Sequence, residues 1–393
     1  MQPGENQPIR QYWQLCQVCL FPVLEERLGP LSENYRLLAA ALAYLGDAGI
    51  AAPGRKRRGR RAHDRLPIFR AMLAKPFLNL VSTRQLLEQL RHDAALRQLC
   101  GWNSSRQVPG ESVFSRVWAE WSGSEWAAQL QAGVIAEVYR DRLVGHVIRD
   151  ATALPARERC RRKTAPPVQR RRRGRPRKGS PPAPKKRLDR QPGMQLAEML
   201  DDLPKHGDGG VRFDERGRQQ RWKGYKLHCD LSDSGLPLSY VLTSASLHDS
   251  QAAIPLATLT SRRVTALYEL MDAGYHSHSI RQYCEQLGHV VLIPDVPPAG
   301  QPKRAFSPAQ RQRYEQRRLI EQFFALLKDH FGFAIHSGAR PRQGFAPGPT
   351  GHSDSYAGTS AAAVSLKLPA SLAAFLGRPA SHRRDVSAHT APS

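Results

Sequence analysis

The chain has 393 residues, enough for a substantial buried core and for two or three domains. Its 59 Lys and Arg residues against 34 Asp and Glu residues give a formal net charge of +25, which favours a polyanionic partner, above all nucleic acid. No apolar run reaches the roughly 20 residues of a membrane-spanning helix and no secretory signal opens the chain, so we expect a soluble intracellular protein without a membrane partner.

Residues 1–139 have the pattern of a helical domain. Apolar residues recur every three or four positions in ENYRLLAAALAYLG, in IFRAMLAKPFLNL and in EWAAQLQAGVIAEVY. Ser82 and Gln85 have the spacing of a capping box, which predicts that another helix starts at Ser82. We therefore predict an N-terminal domain built of helices.

The pattern changes at Leu143, where a second domain over residues 140–332 is predicted to begin. LVGHVIRD is short and rich in β-branched residues, and it ends in Asp150, as a buried strand with a functional tip would. Residues 157–221 follow as a basic, Pro-rich insertion centred on RRRRGRPRKGSPPAPKKR. This composition is too polar to pack, so we expect the insertion to be largely disordered.

Strand and helix signals then alternate. Strands are predicted near 143–150, 223–230, 236–243, 266–271 and 289–294, and helices after residue 249, over HSIRQYCEQLG and from about 314 to 330. Strands mixed with helices in this order predict an α/β fold with one mixed sheet.

The last segment, residues 333–393, differs from the rest of the chain. It is rich in Gly, Pro, Ser and Ala, and only AAVSLKLPASLAAFLG has the composition of a helix. We interpret it as a low-complexity tail, which a frameshift in the reading frame would produce.

Three acidic residues have the placement of a catalytic centre. Asp150 and Asp272 each follow an apolar strand, and Glu321 lies on the last predicted helix, so the three carboxylates could converge at one edge of the sheet. Carboxylate oxygens suit Mg²⁺, for which Mn²⁺ can substitute, and two such ions can activate one oxygen of a phosphodiester and stabilise the other. Individually, each acid could instead be a helix cap or a solvated side chain, and Asp249 is a rival for the second position.

The sequence around these acids resembles the DDE transposases of insertion-sequence families 4 and 5. Tyr314, Arg317, Glu321 and Lys328 have the spacing Y-x2-R-x3-E-x6-K, which resembles the signature of family 4. The blocks RDATALPARER, WKGYKLHCDLSDSGLPLSYVLTSASLHDSQAAIPL and MDAGYHSHSIRQYCEQLGHVVLIPD resemble further stretches of these families in the same order. The resemblance covers about half of the chain.

The resemblance implies an RNase H-like catalytic core and a transposase that cleaves DNA strands at element ends and transfers them. Asp150, Asp272 and Glu321 would be the catalytic metal ligands, while Tyr314, Arg317 and Lys328 would hold the DNA backbone. The partners implied are double-stranded DNA, as terminal inverted repeats and target, and a second copy of the chain in a synaptic homodimer. The N-terminal domain would bind DNA ends, and the protein would be cytoplasmic and nucleoid-associated in a bacterium.

The basic insertion adds a second candidate DNA contact. RRRGRPRK, with Arg173, Arg175 and Arg177, resembles an AT-hook, whose arginines enter narrow A·T minor grooves. A basic linker held by phosphates without sequence preference is the alternative. Two other functions also stay open for the whole chain: a catalytically decayed DNA-binding protein derived from a transposase, and an RNase H-like nuclease without strand transfer.

Overall fold

The computed structural model describes residues 21–47, 63–78, 80, 82–122, 126–139, 142–156, 185–213, 216–297, 300–302 and 304–329. The chain divides into two compact units, one formed by Val144–Ile320 and the other by Met1–Leu143 with the segment from Glu321. The predictions for Arg173, Arg175 and Arg177 and for the tail over 333–393 lie outside the described residues.

The described part of the N-terminal region is helical, as predicted. Its helices are Phe21–Leu28 (α1), Glu33–Asp47 (α2), Arg65–Phe77 (α3), Thr83–His92 (α4), Ala94–Cys100 (α5), Glu111–Ser122 (α6) and Trp126–Tyr139 (α7). The predicted capping box is confirmed: the Gln85 N–H donates to Ser82 Oγ at 3.1 Å, and the Gln85 side chain accepts from the Ser82 N–H. This cap is why α4 begins directly after Ser82.

The amphipathic pattern of these helices accounts for their packing. In α4 the apolar residues Leu86, Leu87 and Leu90 recur on one side of the helix and are buried, whereas Arg84 and Glu88 are exposed. Burial of such a stripe stabilises a helix of this length far more than its intrinsic propensity does.

The second unit is built on one six-stranded mixed sheet with the order β2-β3-β1-β5-β6, in which β4 also pairs with β3. Its strands are Val144–Pro155 (β1), Asp208–Phe213 (β2), Gln219–Ser232 (β3), Pro237–Ser244 (β4), Ala266–Leu270 (β5) and Val290–Leu292 (β6). The strand β1 is antiparallel to β3 and parallel to β5, and β5 is parallel to β6. This arrangement confirms the predicted single mixed sheet and is compatible with an RNase H-like core.

Helices lie between the strands of this unit, as an α/β layer fold requires. They are Arg187–Arg190 (α8), Leu196–Asp201 (α9), Ala253–Ser261 (α10), His278–Gln286 (α11), Pro308–Tyr314 (α12) and Arg318–Asp329 (α13), the last of which extends beyond the unit. An apolar cluster formed by α10, α11 and the ends of β5 and β6 includes Ile254, Met271, Ile280 and Ile293. It fixes the end of β5, where Asp272 follows.

One glycine allows a close approach within the sheet. Gly224 has φ +143°, and a Cβ placed on it would lie 2.2 Å from the Leu154 carbonyl oxygen. Any other side chain would therefore separate β3 from β1 at this point. Gly224 is opposite Pro155, at the end of β1.

The basic insertion is not confirmed as a disordered segment over its predicted length. Residues 185–213 and 216–221 contain α8, α9, β2 and the start of β3, and Arg187 donates to the Asp202 carboxylate at 2.6 Å. The prediction was wrong here because the strand β2, DGGVRF, is held by backbone pairing with β3 at the sheet edge rather than by an apolar pattern. Residues 157–184 lie outside the described part of the chain.

The last helix also differs from the prediction. Instead of one helix over 314–330, α12 ends at Tyr314, a 3₁₀ turn spans Glu315–Arg317, and α13 begins at Arg318. The apolar side of α13 is buried at Ile320, Phe323, Phe324 and Leu327. In the described residues, we find no helix whose length and hydropathy would suit a bilayer span.

Candidate active site

Asp150 lies inside β1 and not at its end. Although β1 continues to Pro155, its parallel neighbour β5 stops at Leu270, which is paired with Ile148. Asp150 is therefore two residues beyond the last parallel pair, where the sheet opens on that side. Its Oδ1 accepts from the Ala151 N–H at 2.8 Å, and its side chain is 17% exposed.

Asp272 occupies the matching position after β5. It also lies two residues beyond the Ile148–Leu270 pair, so the parallel register brings both acids to the same edge of the sheet. Asp272 precedes the 3₁₀ turn Ala273–Tyr275, and a Cβ on Gly274 would lie 3.1 Å from its Oδ1. Glycine thus makes room for this carboxylate. The Oδ1 atom is buried and has no hydrogen-bond partner among the described residues.

The charge of Asp272 acts on Asp150. The pKa of Asp150 is raised to about 6, mainly by burial and also by the nearby charge of Asp272. The Arg317 guanidinium and the Ala151 N–H lower this pKa but do not offset the burial. An additional cation beside the pair would stabilise both charged carboxylates.

Arg317 contacts this pair directly. Its Nη2 donates to Asp150 Oδ2 at 2.7 Å, and both side chains are largely buried. Tyr314 lies half-buried next to it, packed on the Phe306 ring with a centroid distance of 5.1 Å, and burial raises the pKa of its hydroxyl. The 3₁₀ turn between α12 and α13 brings Arg317 to Asp150. The structure thus brings together four predicted site residues: Asp150, Asp272, Tyr314 and Arg317.

Glu321 and Lys328 lie further along α13. Glu321 is exposed and follows Arg317 by four residues, and Lys328 is half-buried in the last turn. Within the described ranges, no group of three or more His, Cys, Asp and Glu side chains is close enough to hold a metal ion. The structure therefore shows an acidic pair, Asp150 and Asp272, in which Asp150 is bound by Arg317. The centre of three carboxylates that includes Glu321 stays a prediction.

The acidic pair nevertheless fits a divalent cation. Asp272 Oδ1 is a buried acceptor without a donor, and Asp150 is ionised against the effect of burial. Carboxylate oxygens are the donors that Mg²⁺ and Mn²⁺ prefer. The chemistry of the donor set and the unsatisfied oxygen both suit such an ion.

Asp249, the rival acid, is held by an ion pair. The capping side chain of the 3₁₀ turn Asp249–Ala252 is His248, which accepts from the Ser250 N–H. The Asp249 carboxylate instead accepts from Lys226 Nζ at 2.8 Å, and the same Nζ donates to the Leu247 carbonyl. This ion pair joins β3 to the turn before α10.

A buried ionic network that was not predicted from the sequence lies beside the site. Arg149, next to Asp150, is fully buried; its Nε and Nη2 donate to the two oxygens of Asp230 at 2.8 and 2.7 Å. Its Nη1 donates to Glu269 Oε2 at 2.7 Å, and His289 Nδ1 lies 2.6 Å from Glu269 Oε1. Arg149 and His289 lower the pKa of Glu269 to about 2 despite its burial.

A signal for this network is present in the sequence. Arg149, Asp230 and Glu269 each lie within an apolar strand, where a charged residue is unusual unless it is paired. Such residues in neighbouring strands indicate a buried ion network. The pairing partners themselves follow only from the sheet register, in which Arg149 is opposite Asp230.

Two protein families match the chain. Residues 200–343 match the family described as Transposase DDE domain, and residues 34–120 match the family described as Transposase domain (DUF772). The first match contains Asp272, Tyr314, Arg317 and Glu321 and begins after Asp150, and the second covers most of α2 to α6. Searches of curated proteins and of solved structures gave no match. The two family matches together indicate a DDE-type insertion-sequence transposase.

Proposed function

We propose that the chain cleaves DNA strands at the ends of its own element and transfers them to a target, using a divalent metal ion on an RNase H-like core. The observation that carries the proposal is the parallel register that puts Asp150 and Asp272 at one sheet edge. Glu321 is the third acid, on the strength of its signature spacing from Tyr314 and Arg317. Two copies of the chain pair the two ends.

Asp150, Asp272 and Glu321 would hold the ion. When bound, Mg²⁺ or Mn²⁺ supplies Lewis-acid activation of the attacking oxygen and charge stabilisation at the leaving oxygen of the phosphodiester. The chain contributes the carboxylates and their fixed directions. The strand β1 fixes Asp150 through the sheet, and the 3₁₀ turn fixes Asp272.

The basic and aromatic residues near the site position the DNA backbone. The guanidinium of Arg317 is a planar fork of N–H donors, a geometry that suits phosphate oxygens as well as carboxylates, and it already contacts Asp150. Tyr314 and Lys328 contribute a hydroxyl and an ammonium group to the same strand of DNA. Arg317 then links the DNA backbone to the acid that holds the ion.

The test uses the full-length chain and DNA that carries the terminal repeats flanking its gene. We expect nicking at the repeat ends with Mg²⁺ or Mn²⁺, and its loss in Asp150→Ala, Asp272→Ala and Glu321→Ala while DNA binding persists. Glu315→Ala is the matched control for the third variant, since Glu315 is an exposed acid in the preceding turn. Cleavage by any one of the three alanine variants at the wild-type rate would remove that residue from the triad.

Two further arms distinguish the rival assignments. Asp249→Asn should leave cleavage close to the wild-type level, because Asp249 is paired with Lys226. If Asp249→Asn lost cleavage while Asp272→Ala kept it, Asp249 would replace Asp272 as the second acid of the triad. Product analysis on a pre-cut end separates strand joining from simple cleavage. Cleaved ends without joined products would indicate a nuclease.

A further inference from the structure

Tyr275 has a buried hydroxyl that no described residue binds. It ends the 3₁₀ turn that follows Asp272, and its ring packs in the apolar cluster that contains Ile254 and Ile280. The side chain is 1% exposed, and its hydroxyl has no hydrogen-bond partner among the described residues. A buried donor of this kind is unfavourable, because it has lost its hydrogen bonds to bulk water.

The missing acceptor lies in the same turn. Asp272 Oδ1 is a buried acceptor without a donor, only three residues away, and the Tyr275 N–H donates to the Asp272 carbonyl oxygen at 3.1 Å. This backbone hydrogen bond keeps the two residues together. A donor without an acceptor and an acceptor without a donor are complementary, and one water molecule held by both would satisfy each of them.

The hydroxyl keeps its proton in this position. Burial raises the pKa of Tyr275 well above its ordinary value, and the charges of Asp150, Asp249 and Asp272 raise it further. Tyr275 is therefore a donor throughout the neutral range. Its hydroxyl also lies where the charges of these carboxylates act on it.

We propose that Tyr275 is a positioning residue of the catalytic centre, whose hydroxyl donates through one water molecule to Asp272 Oδ1 and so orients the carboxylate toward a divalent cation. The inference rests on the proposed function, since it assigns Asp272 as a metal ligand. Carboxylates that bind metals are themselves commonly held by hydrogen bonds from outside the ligand set, and these outer partners set the direction of the ligand oxygen.

Tyr283 provides a matched comparison within the same cluster. Its ring packs against the same apolar residues, but its hydroxyl is 2.8 Å from Thr258 Oγ1 and is therefore satisfied. A purely structural tyrosine loses stability when this bond is removed. For packing alone, phenylalanine would serve at least as well as tyrosine at position 275.

The experiment measures Mn²⁺ binding to the full-length, DNA-free chain by electron paramagnetic resonance, together with the melting temperature. For Tyr275→Phe we expect Mn²⁺ affinity to fall by about 10- to 100-fold, with a melting temperature that falls less than in Tyr283→Phe because the lost hydrogen bond goes to a water molecule. For Tyr283→Phe we expect wild-type Mn²⁺ affinity with a lower melting temperature.

Wild-type Mn²⁺ affinity in Tyr275→Phe would overturn the proposal while leaving the metal centre intact. A melting temperature that falls as far as in Tyr283→Phe would also overturn it, since the hydroxyl would then have a structural partner. Failure of the wild-type chain to bind Mn²⁺ would reject the proposed metal centre and, with it, the role of Tyr275. Asp272→Ala provides the reference for complete loss of that ligand.

Discussion

Arg149 and Asp150 are neighbours in β1, and because side chains alternate along a strand, they lie on opposite faces of the same sheet. On the Arg149 face, all three guanidinium nitrogens donate to carboxylates, and both oxygens of Asp230 and of Glu269 have partners. On the Asp150 face, the buried Oδ1 of Asp272 has none. Buried polar groups are thus fully satisfied on one face of the sheet, whereas a buried carboxylate oxygen lacks a partner among the described residues on the other.

The difference separates two uses of buried charge. A satisfied network leaves nothing for a substrate or an ion to bind, so its contribution is to fix the strands. An incompletely satisfied pair costs stability in the free protein and becomes favourable when a cation arrives. We assign a structural role to Arg149 and propose a catalytic role for Asp150. Substitutions on each face of the sheet separately test these two roles.

The largest expected effect is on the Arg149 face. Arg149→Met leaves two buried carboxylates without their main partner, and we expect the free energy of unfolding to fall by about 3 to 5 kcal/mol. Urea denaturation of the full-length chain measures it. Arg262→Met, at an exposed position in the same unit, is the control and should change the stability by no more than about 0.5 kcal/mol. Equal stabilities of the two variants would contradict a structural role for the network.

The second prediction concerns pH and Glu269. The pKa of Glu269 is lowered from 4.5 to about 2, so its charged form stabilises the folded chain above about pH 4.5, and this contribution is lost as the pH falls toward 2. Glu269→Gln should therefore be less stable by about 3 kcal/mol at pH 7, with a difference from the wild type that shrinks below pH 4.5. Unfolding curves between pH 7 and 3 measure the difference in the free energy of unfolding between the wild type and Glu269→Gln. A constant difference over this range would contradict the prediction.

The smallest expected stability effect is on the Asp150 face. Asp150→Asn keeps an oxygen that can accept from Arg317 and removes a charge that burial disfavours, so we expect stability to change by no more than about 1 kcal/mol. DNA-end cleavage should nevertheless be lost. A stability loss as large as that of Arg149→Met would show that both faces are structural and would remove the contrast between them.

The positions of most strands could be predicted because their apolar runs are short and continuous. Ala266–Leu270 and Val290–Leu292 are parallel strands, and their sequences give the signal directly. Other boundaries could not be predicted in this way. The strand β1 was expected to stop at Asp150, but the antiparallel pairing with β3 continues it to Pro155, and that pairing depends on Gly224 rather than on an apolar pattern.

The placement of two of the three predicted acids at one sheet edge could be predicted from the sequence, whereas their contacts could not. The strand pattern placed Asp150 and Asp272 at one edge, and the charge of Asp272 acts on Asp150 as this placement requires. The Arg317–Asp150 ion pair joins residues that are 167 positions apart and requires a break between two helices. Arg149 and Glu269 are 120 positions apart. Such long-range pairings follow from tertiary packing, which local periodicity does not encode.

The parallel register of Ile148 with Leu270 also determines how the gene tolerates small lesions. The side chains of a strand repeat every two residues, so loss or gain of one codon between Val144 and Asp150 would exchange the two faces of β1. Gain of a codon would put Arg149 in the place of Asp150 at the sheet edge, whereas loss of a codon would put Asp150 in the place of Arg149 in the buried network. We therefore expect a three-nucleotide insertion or deletion in these few codons, although it keeps the reading frame, to abolish both the buried network and the acidic pair.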